Sequence, residues 1–432
     1  MVSILTNPSP ATWPALCKRA EFDDSVIEAR VRAILQRVRA DGDNALRAIT
    51  EEIDGACPNE FLVSETEFER ASSLVSNELK EAIIQAEGNI ERFHKAELPS
   101  SFKVETMPGV SCQRRWLPIS RVGLYIPGGS APLFSTILML AIPARLAGCP
   151  EVILCTPCNK AGEVNPVVLW TARLCGIETV YKLGGAQAIG AMAYGTESIC
   201  PVNKIFGPGN RYVTKAKQMV STEGTAIDMP AGPSEIMVLA DETASPDFIA
   251  ADMLSQAEHG PDSQAMVVCP NMEMAKSIND ELERQLALLP RAPVADKALS
   301  NSRIIVFNTP DEAARRDLFI SFANAYASEH LLIETRDPWQ IAHRITAAGS
   351  IFIGHHSPES AGDYASGTNH TLPTMGYAKA YNGIGVDSFM HAITYQELSA
   401  EGLECLSQAI ILMAEAEGLD AHANAVKVRV KK

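Results

Sequence analysis

Residue types that bind divalent metal ions are concentrated in the C-terminal half of the chain. The stretch "MLSQAEHGPDSQ" (253–264) places Gln256 and His259 three residues apart, at the end of a predicted helix that a Gly-Pro pair stops. Together with Asp363 and His422 they could supply two imidazole nitrogens and two hard oxygens, a set suited to zinc. Only Gln256 and His259 have a sequence spacing that by itself places two ligands side by side. The alternative is that His259 caps a helix and His422 lies on a solvated tail.

A second group of chemical interest is the adjacent pair Glu329-His330 in "SEHL". The pair lies at the entry to a predicted strand, where an active-site loop would be. A carboxylate beside an imidazole suits proton transfer near neutral pH. Because adjacent residues on a strand point to opposite faces, a purely structural role is the alternative.

The cysteines point to structure more than to chemistry. Cys155 and Cys158 form a C-x-x-C after a predicted strand, a spacing found in redox motifs, but no second pair completes a zinc site. Several of the ten cysteines lie inside apolar runs, as is typical of buried free thiols. We expect no functional role for the C-x-x-C.

Composition limits the classes of partner. The 432 residues are too many for a single core and suggest two or three units. A net charge of -15 with no basic run argues against nucleic acid or an anionic membrane as partner. No apolar run is long enough to span a membrane, and the N-terminus lacks the pattern of a signal peptide. We therefore expect a cytoplasmic protein that acts on small molecules or binds other proteins.

The elements that would position these residues are two series of strands and helices. Residues 1–100 have a helical apolar period, and from about residue 121 strands alternate with helices in two successive series. This pattern predicts an α/β fold with two wound parallel units. The strands of the two series are "RVGLYIP", "EVILC", "TVYKLG" and "KIFG", then "EIMVLAD", "AMVVCP", "SRIIVF", "EHLLIET" and "GSIFIG".

Ligands of such sheets bind beyond the carboxyl ends of the strands. The turns to search are therefore "IPGGS", "LGGAQ", "FGPGN" and "PAGPS", although none is the G-x-G-x-x-G dinucleotide fingerprint. The long irregular stretch 355–388 predicts a functional segment. An amphipathic helix over 395–418 and a polar, basic tail over 419–432 follow, an ending that often docks on a neighbour.

Seven stretches closely resemble the histidinol dehydrogenase family in order and spacing, from about residue 25 to the C-terminus. They are "VGLYIPGGSAPLFSTILMLAIPA", "GGAQAI", "FGPGN", "IDMPAGPSE", "LSQAEHGPDSQ", "SEHL" and "SPESAGDYASGTNHTLPT". The resemblance implies an enzyme that oxidises L-histidinol to L-histidine through L-histidinaldehyde, reducing two NAD, as the last step of histidine biosynthesis. It further implies one zinc ion per subunit and a homodimer with shared active sites.

The resemblance also implies roles for individual residues. The zinc ligands would be Gln256, His259, Asp363 and His422, with the tail crossing so that His422 completes the partner's site. Glu329 and His330 would be the catalytic pair. Substrate contacts would come from Ser234, Gln256, His259, His330, Asp363, His370, Glu417 and His422, and NAD contacts from Tyr125, Gln187 and Asn210.

The implied architecture is two incomplete Rossmann-like domains with parallel sheets. An N-terminal arm (1–20) would precede a main domain (21–124 and 234–384), an inserted NAD-binding domain (125–233) and a C-terminal helical dimerisation tail (385–432). Cys158 and the pair His355-His356 depart from the family pattern, and we interpret them as surface variation.

The implied mechanism uses two proton carriers. A neutral His330 would take the hydroxyl proton, so the rate should fall as the pH drops through its pKa, and Glu329 would activate water for the second oxidation. Zinc would orient the substrate. Three alternatives stay open: a zinc- and NAD-dependent dehydrogenase of another small polyol such as a sulfonated diol, a metal-dependent hydrolase, and a silent binding module.

Overall fold

The computed structural model of the chain describes residues 2–19, 25–55, 57–128 and 132–430. These residues form fourteen strands in three sheets. The strands are β1 (Ser3–Thr6), β2 (Phe102–Met107), β3 (Val110–Pro118), β4 (Arg121–Tyr125), β5 (Glu151–Thr156), β6 (Thr179–Lys182), β7 (Lys204–Phe206), β8 (Ala226–Ile227), β9 (Glu235–Ala240), β10 (Gln264–Cys269), β11 (Arg303–Val306), β12 (His330–Glu334), β13 (Ser350–Ile353) and β14 (Met390–Leu398).

Sixteen α-helices are formed by the same residues. They are α1 (Trp13–Leu16), α2 (Ser25–Asp54), α3 (Glu65–Leu74), α4 (Asn77–Ala96), α5 (Ser135–Ala147), α6 (Pro166–Leu174), α7 (Gly185–Tyr194), α8 (Arg211–Ser221), α9 (Pro246–Ala257), α10 (Met272–Leu286), α11 (Ala292–Ser300), α12 (Glu312–Tyr326), α13 (Pro338–Ala342), α14 (Glu359–Tyr364), α15 (Ala400–Ala416) and α16 (Asp420–Val430). Short 3-10 turns lie at Pro10–Thr12, Tyr377–Lys379 and Val386–Phe389.

The larger sheet has six parallel strands in the order β1-β11-β10-β9-β12-β13. Alternate residues of β9 lie in two different cores. Ile236 and Val238 share one core with α9, α10 and α11, while Met237 and Leu239 share the other with α12 and α13. Helices on both faces explain why β9 and β10 are buried along their whole length and apolar after their first residue.

The second sheet has five parallel strands in the order β6-β5-β4-β7-β8. The two predicted strand series are therefore confirmed, and the α/β fold class with them. Each sheet winds outward in both directions from its first long strand, β9 or β4, as in doubly wound folds.

Two parts of the predicted domain division differ from the observed packing. Helices α2, α3 and α4, grouped by the prediction with the main domain, share cores with the five-stranded sheet. The predicted N-terminal arm contains β1, which pairs in parallel with β11 and thereby satisfies its backbone in the six-stranded sheet. The predicted helical period over residues 1–100 missed this strand. The domain boundaries themselves stay predictions.

The third sheet is antiparallel, in the order β14-β3-β2, and precedes the two C-terminal helices in the chain. The helix predicted over 395–418 begins only at Ala400, because Tyr395–Leu398 pair with β3. The tail predicted as a polar segment forms α16, which packs on α15. Within the described ranges, every helix is too short or too polar to cross a membrane.

Candidate active site

Glu329 and His330 lie together at the amino end of β12, and both are buried. Glu329 Oε2 accepts a 2.9 Å hydrogen bond from the backbone N–H of Glu235 on β9, and lies 3.8 Å from His330 Nδ1. The two side chains can meet because Glu329 precedes the first residue of the strand. The two side chains therefore lie close to each other, and their catalytic role stays a prediction.

Helix α14 brings two carboxylates to His330. Glu359 Oε1 lies 3.3 Å from His330 Nδ1, and Asp363 Oδ1 lies 3.5 Å from His330 Nε2. Ligand atoms of these three residues all lie within 4.8 Å of one another, a spacing that could hold a metal ion. Glu359 is not among the site residues predicted from the sequence. Its signal was its position four residues before Asp363, which places both on one helix face.

Three of the predicted metal ligands belong to this region. Asp363 and His259 lie close to each other, and Gln256 lies at the end of α9. Asp363 Oδ2 lies 3.8 Å from His259 Nε2. Gln256, in the last turn of α9, is fully buried, and neither polar atom of its carboxamide has a hydrogen-bond partner in the described structure. The packing of α9 buries that side of the helix in the protein.

These residues fit a divalent cation. A buried amide without a partner is costly and calls for a ligand. Protein atoms around the ring lower the pKa of His259 by excluding water, which favours the neutral imidazole that binds metals. With Asp363, the set offers an imidazole nitrogen, a carboxylate and a carboxamide oxygen, which are donors that zinc accepts.

The charges of the cluster favour a positive group at its centre. Burial lowers the pKa of His330, but the carboxylates of Glu329, Glu359 and Asp363 outweigh burial and raise that pKa overall. Burial raises the pKa of Glu329 and of Glu359. Asp363 is the exception: burial raises the pKa of this carboxylate, but the hydrogen bond and charge of His330, with the charges of His370 and His259, outweigh burial and lower the pKa. The neutral His330 of the expected mechanism is therefore the form present above the raised pKa of its ring.

His370 joins the cluster to the five-stranded unit. Its Nδ1–H donates to the backbone carbonyl of Asp363 at 2.8 Å, and its Nε2 accepts from the hydroxyl of Thr136 at 3.1 Å. Thr136 lies in the first turn of α5, which follows β4. Burial lowers the pKa of His370, so the neutral ring is favoured. The structure thus places His370 at the boundary between the two units.

The remaining predicted substrate residues are arranged differently. Ser234 directly precedes Glu235, whose backbone N–H binds Glu329, so it lies beside the cluster. Glu417 and His422 are exposed at the end of α15 and on α16. Among the residues that the structure describes, no contact joins Glu417 or His422 to the cluster.

A cavity of about 1250 Å³ lies at the carboxyl ends of the five-stranded sheet, and all three predicted NAD contacts line it. The backbone N–H of Gly185 donates to the hydroxyl of Tyr125 at 3.1 Å, and burial raises the pKa of Tyr125 to about 12. Asn210 caps α8 by accepting from two backbone N–H groups. Gln187 is fully buried, and both polar atoms of its side chain lack a partner in the described structure.

A residue that lines the cavity and a residue that contacts the cluster are only a few positions apart in the sequence. Pro132 lines the cavity, and Thr136, four residues later, contacts His370. Cys158 also lines the cavity, whereas Cys155 is fully buried on β5, and both are free thiols. The turn "IPGGS", of which residues 129 and 130 lie outside the described residues, connects β4 to this region.

Comparison with known proteins identifies the family. A family model described as histidinol dehydrogenase matches residues 17–430. The chain belongs to the histidinol dehydrogenase family. It is 51% identical over 430 residues to the histidinol dehydrogenase of Bacteroides thetaiotaomicron, covering 100% of this chain and 99% of that protein. It is 53% identical over 408 residues to the enzyme of Vibrio parahaemolyticus, covering 94% and 92%.

The fold agrees with a solved histidinol dehydrogenase as well. The crystal structure of the protein from Elizabethkingia anophelis is 47% identical, with a TM-score of 0.95, and the match covers 100% of this chain and 98% of that one. Family membership and the fold class are therefore shown along the whole chain.

Proposed function

We propose that this member of the histidinol dehydrogenase family oxidises L-histidinol to L-histidine through L-histidinaldehyde with two NAD, as the last step of histidine biosynthesis. The observation that carries the proposal is the convergence of His259, Glu329, His330 and Asp363 from three separate elements, with Gln256 in the last turn of α9. NAD, when bound in the cavity at Tyr125, Gln187 and Asn210, accepts a hydride in each oxidation. We place the protein in the cytoplasm.

His330 is the residue that moves protons in both oxidations. In its neutral form it takes the proton of the alcohol hydroxyl, and later a proton of the hydrated aldehyde. Glu329 takes a proton from the water that adds to the aldehyde. The hydrogen bond from Glu235 fixes Glu329 Oε2 at 3.8 Å from His330 Nδ1, so one carboxylate and one imidazole serve the same substrate carbon.

The residues that would hold zinc are Gln256, His259 and Asp363, with His422 of the partner subunit. Bound zinc supplies a fixed anchor for the amino and imidazole nitrogens of the substrate. Ser234, His370 and Glu417 would bind the rest of the substrate. His370 has the geometry for this, because both ring nitrogens are fixed by Asp363 and Thr136.

A homodimer is supported by the surface of the C-terminal part. Large apolar side chains are exposed on the antiparallel sheet and on α15; they are Phe102, Val104, Ile393, Tyr395, Leu412 and Met413. Apolar surface of this kind marks a protein interface. A second copy that covers this apolar surface would also explain why no described contact within one chain joins His422 to the cluster.

The function is tested by counting NADH. Purified protein mixed with limiting L-histidinol and excess NAD is expected to form two NADH per histidinol, because the alcohol and the aldehyde each lose two electrons. Absorbance at the NADH band measures the yield. A dehydrogenase of another polyol or a hydrolase would form no NADH from histidinol, and a yield of one would contradict the second oxidation.

Replacing Glu329 with glutamine is expected to slow aldehyde oxidation about 100-fold and to change alcohol oxidation little. The amide can still accept from the Glu235 N–H, so the geometry is kept while the base is lost. Single-turnover assays started with histidinol or with histidinaldehyde separate the two steps. Glu273→Gln, an exposed change on α10, is the control. Equal slowing of both steps would contradict this division of roles.

Replacing Gln187 with alanine is expected to raise KM for NAD about tenfold with little change in kcat, because the variant loses a buried hydrogen-bonding group that lines the cavity. Steady-state kinetics at saturating histidinol measure both constants. Gln218→Ala on α8, outside the cavity lining, is the control. An unchanged KM for NAD would place the cofactor elsewhere.

A further inference from the structure

A second group of metal-binding residue types lies at the carboxyl ends of the strands of the six-stranded sheet, whereas the cluster around His330 lies at their amino ends. Glu334 is the last residue of β12, and His355 follows the end of β13. The neighbouring strand β9 ends at Ala240, which pairs with Glu334. This edge is where the strand order reverses, between β9 and β12, and such a point is a common ligand site in α/β sheets.

Two polar atoms face each other there without a partner. Glu334 is 2% exposed, and within the described ranges its Oε2 has no hydrogen-bond partner. His355 Nδ1 is likewise buried and unpaired in that part of the chain. The two atoms are 3.9 Å apart, which is too far for a direct hydrogen bond.

A neighbouring threonine determines which nitrogen of His355 carries the proton. Thr243 lies 3.3 Å from His355 Nε2, and its hydroxyl donates to the carboxylate of Asp241. Since that hydroxyl proton is engaged, the Thr243 oxygen must accept, so Nε2 of His355 is the protonated nitrogen. A neutral His355 therefore directs the lone pair of Nδ1 at a lone pair of Glu334.

Only a positive species between the two atoms makes this arrangement favourable. Burial, with the nearby carboxylates of Asp252 and Asp247, raises the pKa of Glu334 to about 8. Two ligand atoms of a tetrahedral zinc ion lie about 3.3 Å apart, so a side-chain movement of roughly half an ångström would bring Glu334 and His355 to that spacing. The Asp241–Thr243–His355 chain is the outer support that metal-binding histidines usually have.

We propose that Glu334 and His355 form a second divalent-metal site, separate from the Gln256–His259–Asp363 cluster, that binds a transition-metal ion such as zinc. Imidazole with carboxylate selects zinc, nickel or copper over magnesium. The pair His355-His356, which the family pattern leaves unexplained, thereby gains a function at its first member.

Zinc binding to the full-length protein tests the site without use of activity. After equilibrium dialysis at micromolar free zinc, the metal content of the wild-type chain is expected to exceed that of His355→Ala by about one ion. His356→Ala, a change at the exposed neighbouring histidine, is the matched control and should keep the ion. Thr243→Val is expected to weaken the same site about tenfold, because it removes the outer support.

A His259→Ala background separates this site from the proposed catalytic one. The second ion should persist in His259→Ala and disappear in His259→Ala with His355→Ala. Glu334→Gln, which keeps the size of the side chain, should also lose it. If wild type and His355→Ala bind the same amount of zinc, a proton alone occupies the gap and the proposal fails. Loss of the ion in His356→Ala as well would also overturn it.

Discussion

Replacing His330 with asparagine is expected to lower kcat for both oxidations by about 10³-fold while the substrate still binds. The imidazole is the proton carrier in each step, and general acid–base groups contribute 10²–10⁴-fold. Binding should survive because the proposed anchors, His259 and Asp363, are unchanged. Single-turnover NADH formation from histidinol and from histidinaldehyde measures the two steps, and calorimetry measures binding. His343→Asn, an exposed histidine, is the control.

The pH dependence of the same pair of proteins adds an independent check. Since the carboxylates of Glu329, Glu359 and Asp363 raise the pKa of His330, its proton is lost only as the pH rises through that raised value. The wild-type rate should therefore increase with pH through this range, which gives the pH profile a rising limb. A cation at Asp363 would lower the pKa of His330 and should move this limb to lower pH. The residual rate of His330→Asn should lack the limb. A flat wild-type profile, or one with the same limb in His330→Asn, would contradict the role of His330.

Much of the fold follows from local sequence patterns. Strands β9 and β10 are apolar after their first residue, which indicates a parallel sheet covered on both faces, and the structure has that sheet. Helices α2, α3 and α4 show the limit of such patterns. An apolar stripe predicts that a helix packs on something, yet it does not say which of two sheets, and here the five-stranded sheet takes all three.

The site was only partly predictable for a related reason. The expectation that ligands bind at carboxyl ends of strands holds for the five-stranded sheet, where the cavity lies. In the six-stranded sheet the cluster lies at the amino ends, where the turn "PAGPS" precedes β9 and where α9 ends. The contact of His370 with Thr136 in the first turn of α5 joins the cluster to the five-stranded unit. Nothing in the local pattern of either unit specifies that arrangement.

Glu359 and Gln256 illustrate what residue spacing can and cannot give. The four-residue spacing of Glu359 and Asp363 places both on one face of α14, but the contact of Glu359 with His330 depends on how α14 packs across the sheet. Gln256 was identified by its position near His259, whereas its complete burial depends on the packing of α9. Local spacing fixes neighbours on one element, and tertiary packing fixes the rest.

Mixing two inactive variants is expected to restore about a quarter of the wild-type activity if the tail acts on the partner subunit. His422→Ala and His330→Asn should each be nearly inactive alone. With random reassociation about half of the dimers are hybrids, and each hybrid has one site with an intact His330 and an intact His422. The readout is NADH formation after equal co-expression of the two chains with different purification tags. The unfractionated dimers should reach about a quarter of the wild-type activity, and the isolated doubly tagged dimer about half.

The matched control is the mixture of His259→Ala with His330→Asn. Both of these residues belong to the cluster of one chain, where Asp363 lies 3.8 Å from His259 and 3.5 Å from His330. Every site of that hybrid therefore keeps one defect, and no activity should return. If His422 acted within its own chain, the first mixture would stay as inactive as the control. Recovery in the first mixture alone thus requires that the exposed histidine on α16 serve the cluster of the other subunit, a contact that one chain cannot make by itself.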